Sequence, residues 1–289
     1  MVKIISKVLL TALLFNGLNA AAVENMSQKV FSIWPDKPLV DSGNKQTLSG
    51  SRVMVTKVDT PTIELFVSEN AATSAPAIVV FPGGGYKWLS YTTEGTDIAK
   101  WLNSIGIHAA LVKYTVPCAG DRTLAIKDGQ RAISLLRHNA KERGIDSKKI
   151  GVMGFSAGGH LAAYMSTNYK KRLYQAIDEA DKESCRPDFA VLIYPAYLCS
   201  KESSDKLPAD IKVDSDTPPT FVAQSMDDRT FYNCAFNYAR ALNKTKVNTE
   251  LHLFSQGGHG YGLAKFSPSA SQWPGLCKKW MEQLLDMEK

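Results

Sequence analysis

Two hydrophobic patterns alternate along the chain from about residue 53 onward. Strand-like runs rich in apolar residues, of which 77–81 is continuously apolar and typical of a strand buried on both faces, are separated by segments whose apolar positions recur every three or four residues. The runs cover residues 77–81, 107–114, 150–153, 189–194, 221–225 and 250–254, and the helical patterns cover 97–104, 124–143, 160–169, 232–242 and 276–287. This alternation predicts one α/β domain with a mostly parallel central sheet and helices on both faces.

Two β-rich segments precede the first of these runs. Residues 53–58 and 62–67 carry β-branched side chains and are separated by Asp59, Thr60 and Pro61. A short polar break containing proline is typical of a turn between strands. The pattern predicts an antiparallel pair at the edge of the sheet.

The first 22 residues have the pattern of a secretory signal peptide. Lys3 and Lys7 precede an apolar stretch at 8–18, and three alanines follow at 20–22. The apolar stretch is too short to span a membrane well. We therefore expect export to the periplasm or the medium with no membrane association after cleavage. Residues 23–52 are predicted to be an irregular leader, and 53–289 to be the single domain.

Charge and cysteine usage exclude some classes of protein. Removal of residues 1–22 leaves 32 basic and 28 acidic residues, a net charge of +4 that is too small and too evenly spread to indicate nucleic-acid binding. The five cysteines lack zinc-site spacing. An oxidising compartment would allow one or two disulfides, with one thiol left free unless it pairs between chains. The sequence gives neither the pairing nor the oligomeric state.

A serine between small residues follows the run at 150–153 directly. The segment Gly154–Phe155–Ser156–Ala157–Gly158 stands between a predicted strand and a predicted helix. Small neighbours allow a strand to turn sharply into a helix, which exposes the central hydroxyl as a nucleophile. A glycine-rich turn whose serine only caps the helix is the alternative.

Three glycines follow the strand predicted at 77–81. The segment Pro82–Tyr86 costs conformational entropy unless the backbone must approach another group. We predict that the amides of Gly84 and Gly85, together with that of Ala157, form an oxyanion hole. A flexible turn remains possible, whereas a phosphate-binding loop is disfavoured because no Gly-Lys-Ser/Thr follows.

A nucleophilic serine needs a base and an acid, and both residue types follow later strands. Asp227 and Asp228 come after the strand at 221–225, and His259 lies between glycines after the strand at 250–254. The order Ser156, Asp, His is that of an α/β-hydrolase. The two adjacent carboxylates point apart, so one should reach His259, and they are poorly placed for a glycosidase dyad.

In combination these segments resemble the secreted bacterial α/β-hydrolases related to acetylxylan and feruloyl esterases, relatives of the hormone-sensitive-lipase group. The resemblance covers the chain from about residue 53 to its end. It implies hydrolysis of acetyl or feruloyl esters on plant-wall carbohydrate, chiefly xylan, without a metal or an organic cofactor. It rests on residues 82–86, 114–117, 154–161, 186–194, 217–221, 227–228 and 257–263.

The resemblance also favours one of the two acids. Family sequences have Asp, two residues, then Val-Pro, and Asp228 fits this spacing with Phe231 and Tyr232 in place of Val-Pro. It implies that Asp228 rather than Asp227 is the triad acid. Gln224 departs from the family, in which histidine is common at this position.

The predicted function is therefore a serine esterase with Ser156, His259 and Asp228 as the triad. Tyr86 and Trp88, beyond the glycines, are expected to flank the acyl or sugar group, with ordinary loop packing as the alternative. Two other functions remain open: a peptidase like the prolyl oligopeptidases, and a non-catalytic polysaccharide-binding protein on a hydrolase scaffold.

Overall fold

A computed structural model describes residues 30–37, 39, 46–49, 52–199, 205–263 and 265–287. The predicted signal peptide and parts of the predicted leader lie outside these ranges. The strands are β1 (Val30–Ser32), β2 (Gln46–Ser49), β3 (Arg52–Val55), β4 (Thr62–Phe66), β5 (Ala75–Phe81), β6 (His108–Lys113), β7 (Ile145–Phe155), β8 (Ala190–Ile193), β9 (Thr220–Ser225) and β10 (Thr249–Phe254). The α-helices are α1 (Asp97–Ser104), α2 (Thr123–His138), α3 (Ala157–Thr167), α4 (Tyr232–Lys244) and α5 (Trp273–Leu284).

The main sheet has eight strands in the order β1-β4-β6-β5-β7-β8-β9-β10. From β6 to β10 neighbouring strands are parallel. The predicted fold class is confirmed. The carboxyl ends of parallel strands lie at one edge of the sheet, so the loops that follow β5, β7, β9 and β10 converge there.

Side chains of the central strand alternate between two hydrophobic cores. In β5, Ala77, Val79 and Phe81 belong to one core and Ile78 and Val80 to the other, and all are fully buried. Helices α2, α3 and α4 contribute to the first core, and α1 and α5 to the second. Burial on both faces explains why the strand pattern is continuously apolar rather than alternating.

The prediction of an antiparallel pair between residues 53–58 and 62–67 is wrong. β3 pairs with β2 in a separate two-stranded sheet, whereas β4 lies between β1 and β6 and is antiparallel to both. Residues 30–32 of the predicted leader thus form an edge strand. The break at 59–61 separates two strands that pair elsewhere, because tertiary partners compete with the local turn.

Helix boundaries also differ from the predicted ones. α3 begins at Ala157 rather than at residue 160, directly after Ser156. α5 spans Trp273–Leu284, starting three residues before the predicted helix. Among the described residues, none of the helices has the length and apolar character needed to cross a membrane.

Candidate active site

Ser156 occupies a strained turn between β7 and α3. Its backbone has φ 52° and ψ −116°, a conformation that side-chain-bearing residues rarely adopt. Glycine is required on both sides: a Cβ on Gly154 would lie 2.0 Å from the carbonyl oxygen of Gly158, and a Cβ on Gly158 would lie 2.0 Å from that of Phe81. The missing side chains therefore let the turn close, and the Ser156 hydroxyl faces the cleft.

His259 lies in the loop after β10 and connects Ser156 to Asp228. Its Nε2 is 2.7 Å from the Ser156 Oγ, and its Nδ1 is 2.6 Å from the Asp228 Oδ2. Gly258 and Gly260 on either side have positive φ angles of 64° and 75°, which lets the loop place the ring toward Ser156. With Nδ1–H donating to Asp228, Nε2 is free to accept the serine proton.

Asp228 is buried at the end of β9, with 4% of its surface exposed. Besides His259 it accepts hydrogen bonds from the Gln224 amide group at 3.2 Å and from the backbone amides of Thr230 at 3.3 Å and Phe231 at 3.2 Å. Burial alone would raise its pKa, but His259 and these donors outweigh burial and hold the pKa below its ordinary value. Asp228 is therefore a carboxylate that can stabilise a charged His259.

Asp227 has a different contact, although it is the next residue. Its carboxylate accepts hydrogen bonds from the backbone amides of Gly257 at 3.2 Å and Gly258 at 2.8 Å. Asp227 thus fastens the loop that carries His259, while Asp228 contacts the His259 ring.

The glycine loop after β5 lies directly against Ser156. A Cβ on Gly83 would be 2.8 Å from the Ser156 Cβ, and one on Gly84 would be 1.9 Å from the Trp88 carbonyl oxygen. Gly84 and Gly85 have positive φ angles and line the same cleft as Ser156. The Ala157 amide is the first of α3, where amides have no acceptor within the helix. Gly84 and Gly85 therefore line the cleft together with Ser156, and the Ala157 amide follows Ser156 directly in the chain.

A buried carboxylate connects the glycine loop to the histidine loop. Glu94 accepts hydrogen bonds from the Gly83 amide at 2.7 Å and from the Tyr194 hydroxyl at 2.8 Å, and that hydroxyl accepts one from the Gly262 amide at 2.9 Å. Burial raises the pKa of Glu94 above its ordinary value. We call Glu94 and Tyr194 the bridging pair. The sequence does not indicate this pair: Glu94 lies outside the segments that carry the family resemblance, and Tyr194, in the segment 186–194, carries no sign of its contact with Glu94.

The cleft has a volume of about 480 Å³. Trp88, one of the two aromatic residues predicted to contact substrate, lies in its wall. Two further aromatic side chains, which the sequence analysis did not identify, also line it: Tyr197 after β8 and Phe231 before α4. Phe231 packs on the His259 ring, with centroids 5.1 Å apart.

Tyr86 does not line the cleft, which corrects its expected role as a substrate contact. It is fully buried and its hydroxyl is 2.8 Å from the His160 Nδ1. Arg122 donates to the His160 Nε2 at 3.2 Å, and burial together with that charge lowers the pKa of His160 to about 3. A neutral His160 therefore donates from Nδ1 to Tyr86. The ring of Tyr86 stacks behind Tyr197 and supports the cleft wall from within.

The described residues contain no group of three or more His, Cys, Asp or Glu side chains that could hold a metal ion. Fold and site together define a class. A parallel sheet with a serine at the turn after β7, an acid after β9 and a histidine after β10 is an α/β-hydrolase.

Comparison with known families divides the chain into two matched regions. Residues 63–197 match the BD-FAE family, and residues 196–287 match the prolyl oligopeptidase family. The first region contains the glycine loop and Ser156, and the second contains Asp228 and His259. Both regions therefore lie within the α/β-hydrolase domain.

Comparison with individual proteins identifies more specific relatives of the chain. The chain is 31% identical to an acetylxylan esterase of Xylanibacter ruminicola over 76% of this chain and 47% of that protein, and 27% identical to endo-1,4-beta-xylanase B of Butyrivibrio fibrisolvens over 68% and 34%. It spans half or less of these relatives. A solved acetyl ester-xyloside bifunctional hydrolase from Caldicellulosiruptor lactoaceticus is 32% identical, with a TM-score of 0.72 and coverage of 88% of this chain and 96% of that one. The chain belongs to the acetylxylan-esterase-like family of α/β-hydrolases.

Proposed function

We propose that the protein is a serine esterase whose triad is Ser156, His259 and Asp228. The observation that carries the proposal is the continuous hydrogen-bonded relay, 2.7 Å from Ser156 to His259 and 2.6 Å from His259 to Asp228. Each of these residues lies beyond the carboxyl end of a different parallel strand, where α/β proteins place their reactive groups.

The relay supports acyl transfer in two steps. His259 takes the proton of the Ser156 hydroxyl as its oxygen attacks the ester carbonyl, and amides of Gly84, Gly85 and Ala157 stabilise the oxyanion. His259 then gives the proton to the departing alcohol oxygen, leaving an acyl-serine. Water, deprotonated by His259, attacks this ester, and the carboxylic acid leaves as Ser156 regains its proton.

Acetyl esters on xylan are the substrate class that we propose. The Xylanibacter relative is named an acetylxylan esterase, and the Caldicellulosiruptor structure an acetyl ester-xyloside bifunctional hydrolase. The aromatic wall formed by Trp88, Tyr197 and Phe231 suits a sugar ring. Feruloyl esters are the alternative acyl group. We also propose that residues 1–22 direct export, which would bring the enzyme to its polysaccharide.

The test measures acetate release from acetylated xylan and ferulate release from a feruloylated arabinose ester, with the wild-type protein and Ser156→Ala. We expect acetate release to fall by roughly 10⁶-fold in the variant. Ser271→Ala, at an exposed serine outside the cleft lining, is the matched control and should keep full activity.

Other outcomes would separate the alternatives. Unchanged acetate release by Ser156→Ala would reject the triad. Cleavage of a small aryl acetate through Ser156, with neither xylan ester cleaved, would reject the polysaccharide substrate and keep the chemistry. The match to the prolyl oligopeptidase family makes a proline dipeptide amide the necessary third substrate. A binding protein without activity would not be labelled at Ser156 by an organophosphonate.

A further inference from the structure

Two of the five cysteines are in contact. The Sγ atoms of Cys199 and Cys234 are 2.9 Å apart, and the Cys199 sulfur also accepts from the Asn237 amide group at 3.6 Å. By contrast, the Cys118 and Cys185 thiols donate to the backbone carbonyls of Thr115 and Tyr169. Two sulfurs in contact require little movement to reach the bonded distance of about 2.05 Å.

The contact between Cys199 and Cys234 lies beside two aromatic walls of the cleft, Tyr197 and Phe231. Cys199 follows Tyr197 by two residues, and Cys234, in α4, follows Phe231 by three. The Tyr197 and Phe231 rings meet edge to face, with centroids 5.6 Å apart, and both line the cleft. A bond between the sulfurs would therefore tie the segment that follows Tyr197 to the helix that follows Phe231, next to this aromatic contact.

We propose that Cys199 and Cys234 form an intramolecular disulfide that fixes the Tyr197 and Phe231 walls of the cleft, and that Cys118, Cys185 and Cys277 remain thiols. The inference does not rest on esterase activity, since it concerns the sulfur pair alone. It gives a specific pairing for the odd number of cysteines, which the sequence leaves undetermined.

The two sulfurs differ in access, which sets the order of the reaction. Cys234 is buried, with 1% of its surface exposed, and burial raises the pKa of its thiol. Cys199 is half-buried and lines a second cleft of about 470 Å³ that is bounded on one side by Tyr197. A small disulfide can therefore reach Cys199 first.

The oxidant is a disulfide compound such as oxidised glutathione. The Cys199 thiol loses its proton, and the thiolate attacks one glutathione sulfur, forming a mixed disulfide and releasing one glutathione thiolate. The Cys234 thiol then loses its proton to solvent. The resulting thiolate attacks the Cys199 sulfur of the mixed disulfide and releases the second glutathione thiolate. Two electrons pass from the protein thiols to the oxidant, and one S–S bond replaces another.

The test counts thiols by intact mass. The full chain is reduced, freed of reductant, incubated with oxidised glutathione, unfolded in denaturant and alkylated. We expect five alkyl groups on reduced protein and three on oxidised wild type. The matched control is Cys185→Ser. It should carry two alkyl groups after oxidation, because it keeps both Cys199 and Cys234. Cys234→Ser should instead retain one glutathione, at Cys199.

Peptide mapping locates the bond. Arg186 precedes a proline, so trypsin leaves residues 183–201 in one peptide that holds both Cys185 and Cys199. In oxidised Cys185→Ser this peptide should be linked to residues 230–240, which contain Cys234. Five alkyl groups on oxidised wild type, or a link that involves any other cysteine, would overturn the proposal. If a variant fails to fold, the number of alkyl groups on oxidised wild-type protein still tests the proposal.

Discussion

Two adjacent carboxylates at the end of β9 have separate tasks. The Asp228 carboxylate contacts the His259 ring, whereas the Asp227 carboxylate holds the backbone amides of Gly257 and Gly258. Successive side chains at a strand end diverge, so neither residue can take the position of the other. Removing the charge should therefore have different effects at the two positions.

We expect Asp228→Asn to lower kcat by about 10³ to 10⁴-fold, because an amide in place of the carboxylate no longer stabilises the protonated imidazole and can favour the wrong His259 tautomer. Asp227→Asn, the matched control, keeps one side-chain acceptor for the loop amides and should lower kcat by less than about 10-fold. Steady-state kinetics on an aryl acetate measure both. A larger loss in Asp227→Asn would make Asp227 the triad acid.

At the scale of residues, local sequence was informative where flanking residues limit the backbone. Glycines two residues on either side of Ser156 and directly beside His259 indicate both positions, and the structure brings the two side chains within hydrogen-bond distance. Their catalytic role remains a prediction. Local sequence could not indicate that Tyr86 is buried behind the cleft, or that Glu94 contacts Gly83 and Tyr194, because these contacts join distant segments.

The strand, turn and helix around Ser156 are packed so closely that an added side-chain atom would clash with the backbone. β7 enters the turn beside the end of β5, and α3 leaves it so closely that the Gly158 Cα faces the carbonyl oxygens of Phe81 and Pro82. The packing of α3 against this strand end fixes the Ser156 backbone. A side chain at position 158 would therefore push the helix away from the sheet.

We expect Gly158→Ala to lower the free energy of unfolding by about 3 kcal/mol, because its Cβ would lie 2.0 Å from a backbone oxygen. Esterase activity should fall with it. Gly275→Ala is the matched control: a Cβ there meets nothing within 4 Å, and alanine favours the helix α5. Urea unfolding of both variants tests the difference, and equal stability of Gly158→Ala and wild type would contradict it.

At the scale of elements, apolar runs predict that strands exist but not which strands pair. All six runs correspond to strands of the main sheet. Five of them are buried on both faces, which leaves a strong pattern, whereas the edge strand β10 buries only Phe254. β3 and β4 have β-rich sequences as well, yet their partners are β2, β1 and β6. The choice depends on segments that approach only in the folded chain, which no local turn signal records.

A buried arginine joins distant parts of the whole molecule. Arg131 in α2, with 1% of its surface exposed, is paired with Asp178 at 2.5 Å and Asp181 at 2.9 Å, and its Nε donates to the Ile33 carbonyl near β1. The bonds from Arg131 hold the pKa of Asp178 below its ordinary value. A carboxylate with a lowered pKa stabilises the fold above its unfolded pKa of about 3.9, and this contribution is lost as the pH falls through the folded pKa.

Accordingly, Asp178→Asn should lower the Tm at about pH 6, and the gap between variant and wild type should narrow as the pH falls below about 3.9, the ordinary pKa of an aspartate. Carboxylates remote from Arg131 titrate equally in both proteins, so the gap reports the pairing of Arg131 with Asp178 and its neighbour Asp181. Asp59→Asn, which removes an exposed partner of Lys57, is the matched control and should shift the Tm little at any pH. Thermal melts across this range test the expectation, and a gap independent of pH would contradict it.

The fold class of the whole molecule was predictable because alternating strands and helices leave few arrangements other than a parallel sheet covered on both faces. The attachment of residues 30–32 to the sheet edge was not. Three residues in a polar segment carry too weak a pattern, and their position depends on contacts such as that between Trp34 and Asp128 at 2.6 Å.

The bridging pair has a consequence for how this enzyme can change. Because Glu94 binds the glycine loop and Tyr194 binds the loop of His259, one chain of hydrogen bonds joins the two loops. A substitution that enlarges the space for a bulkier acyl group by moving the glycines would also shift the base. Under the proposed mechanism, acyl preference and turnover therefore change together, because the Trp88 and Phe231 walls also contact the glycine loop and the His259 ring.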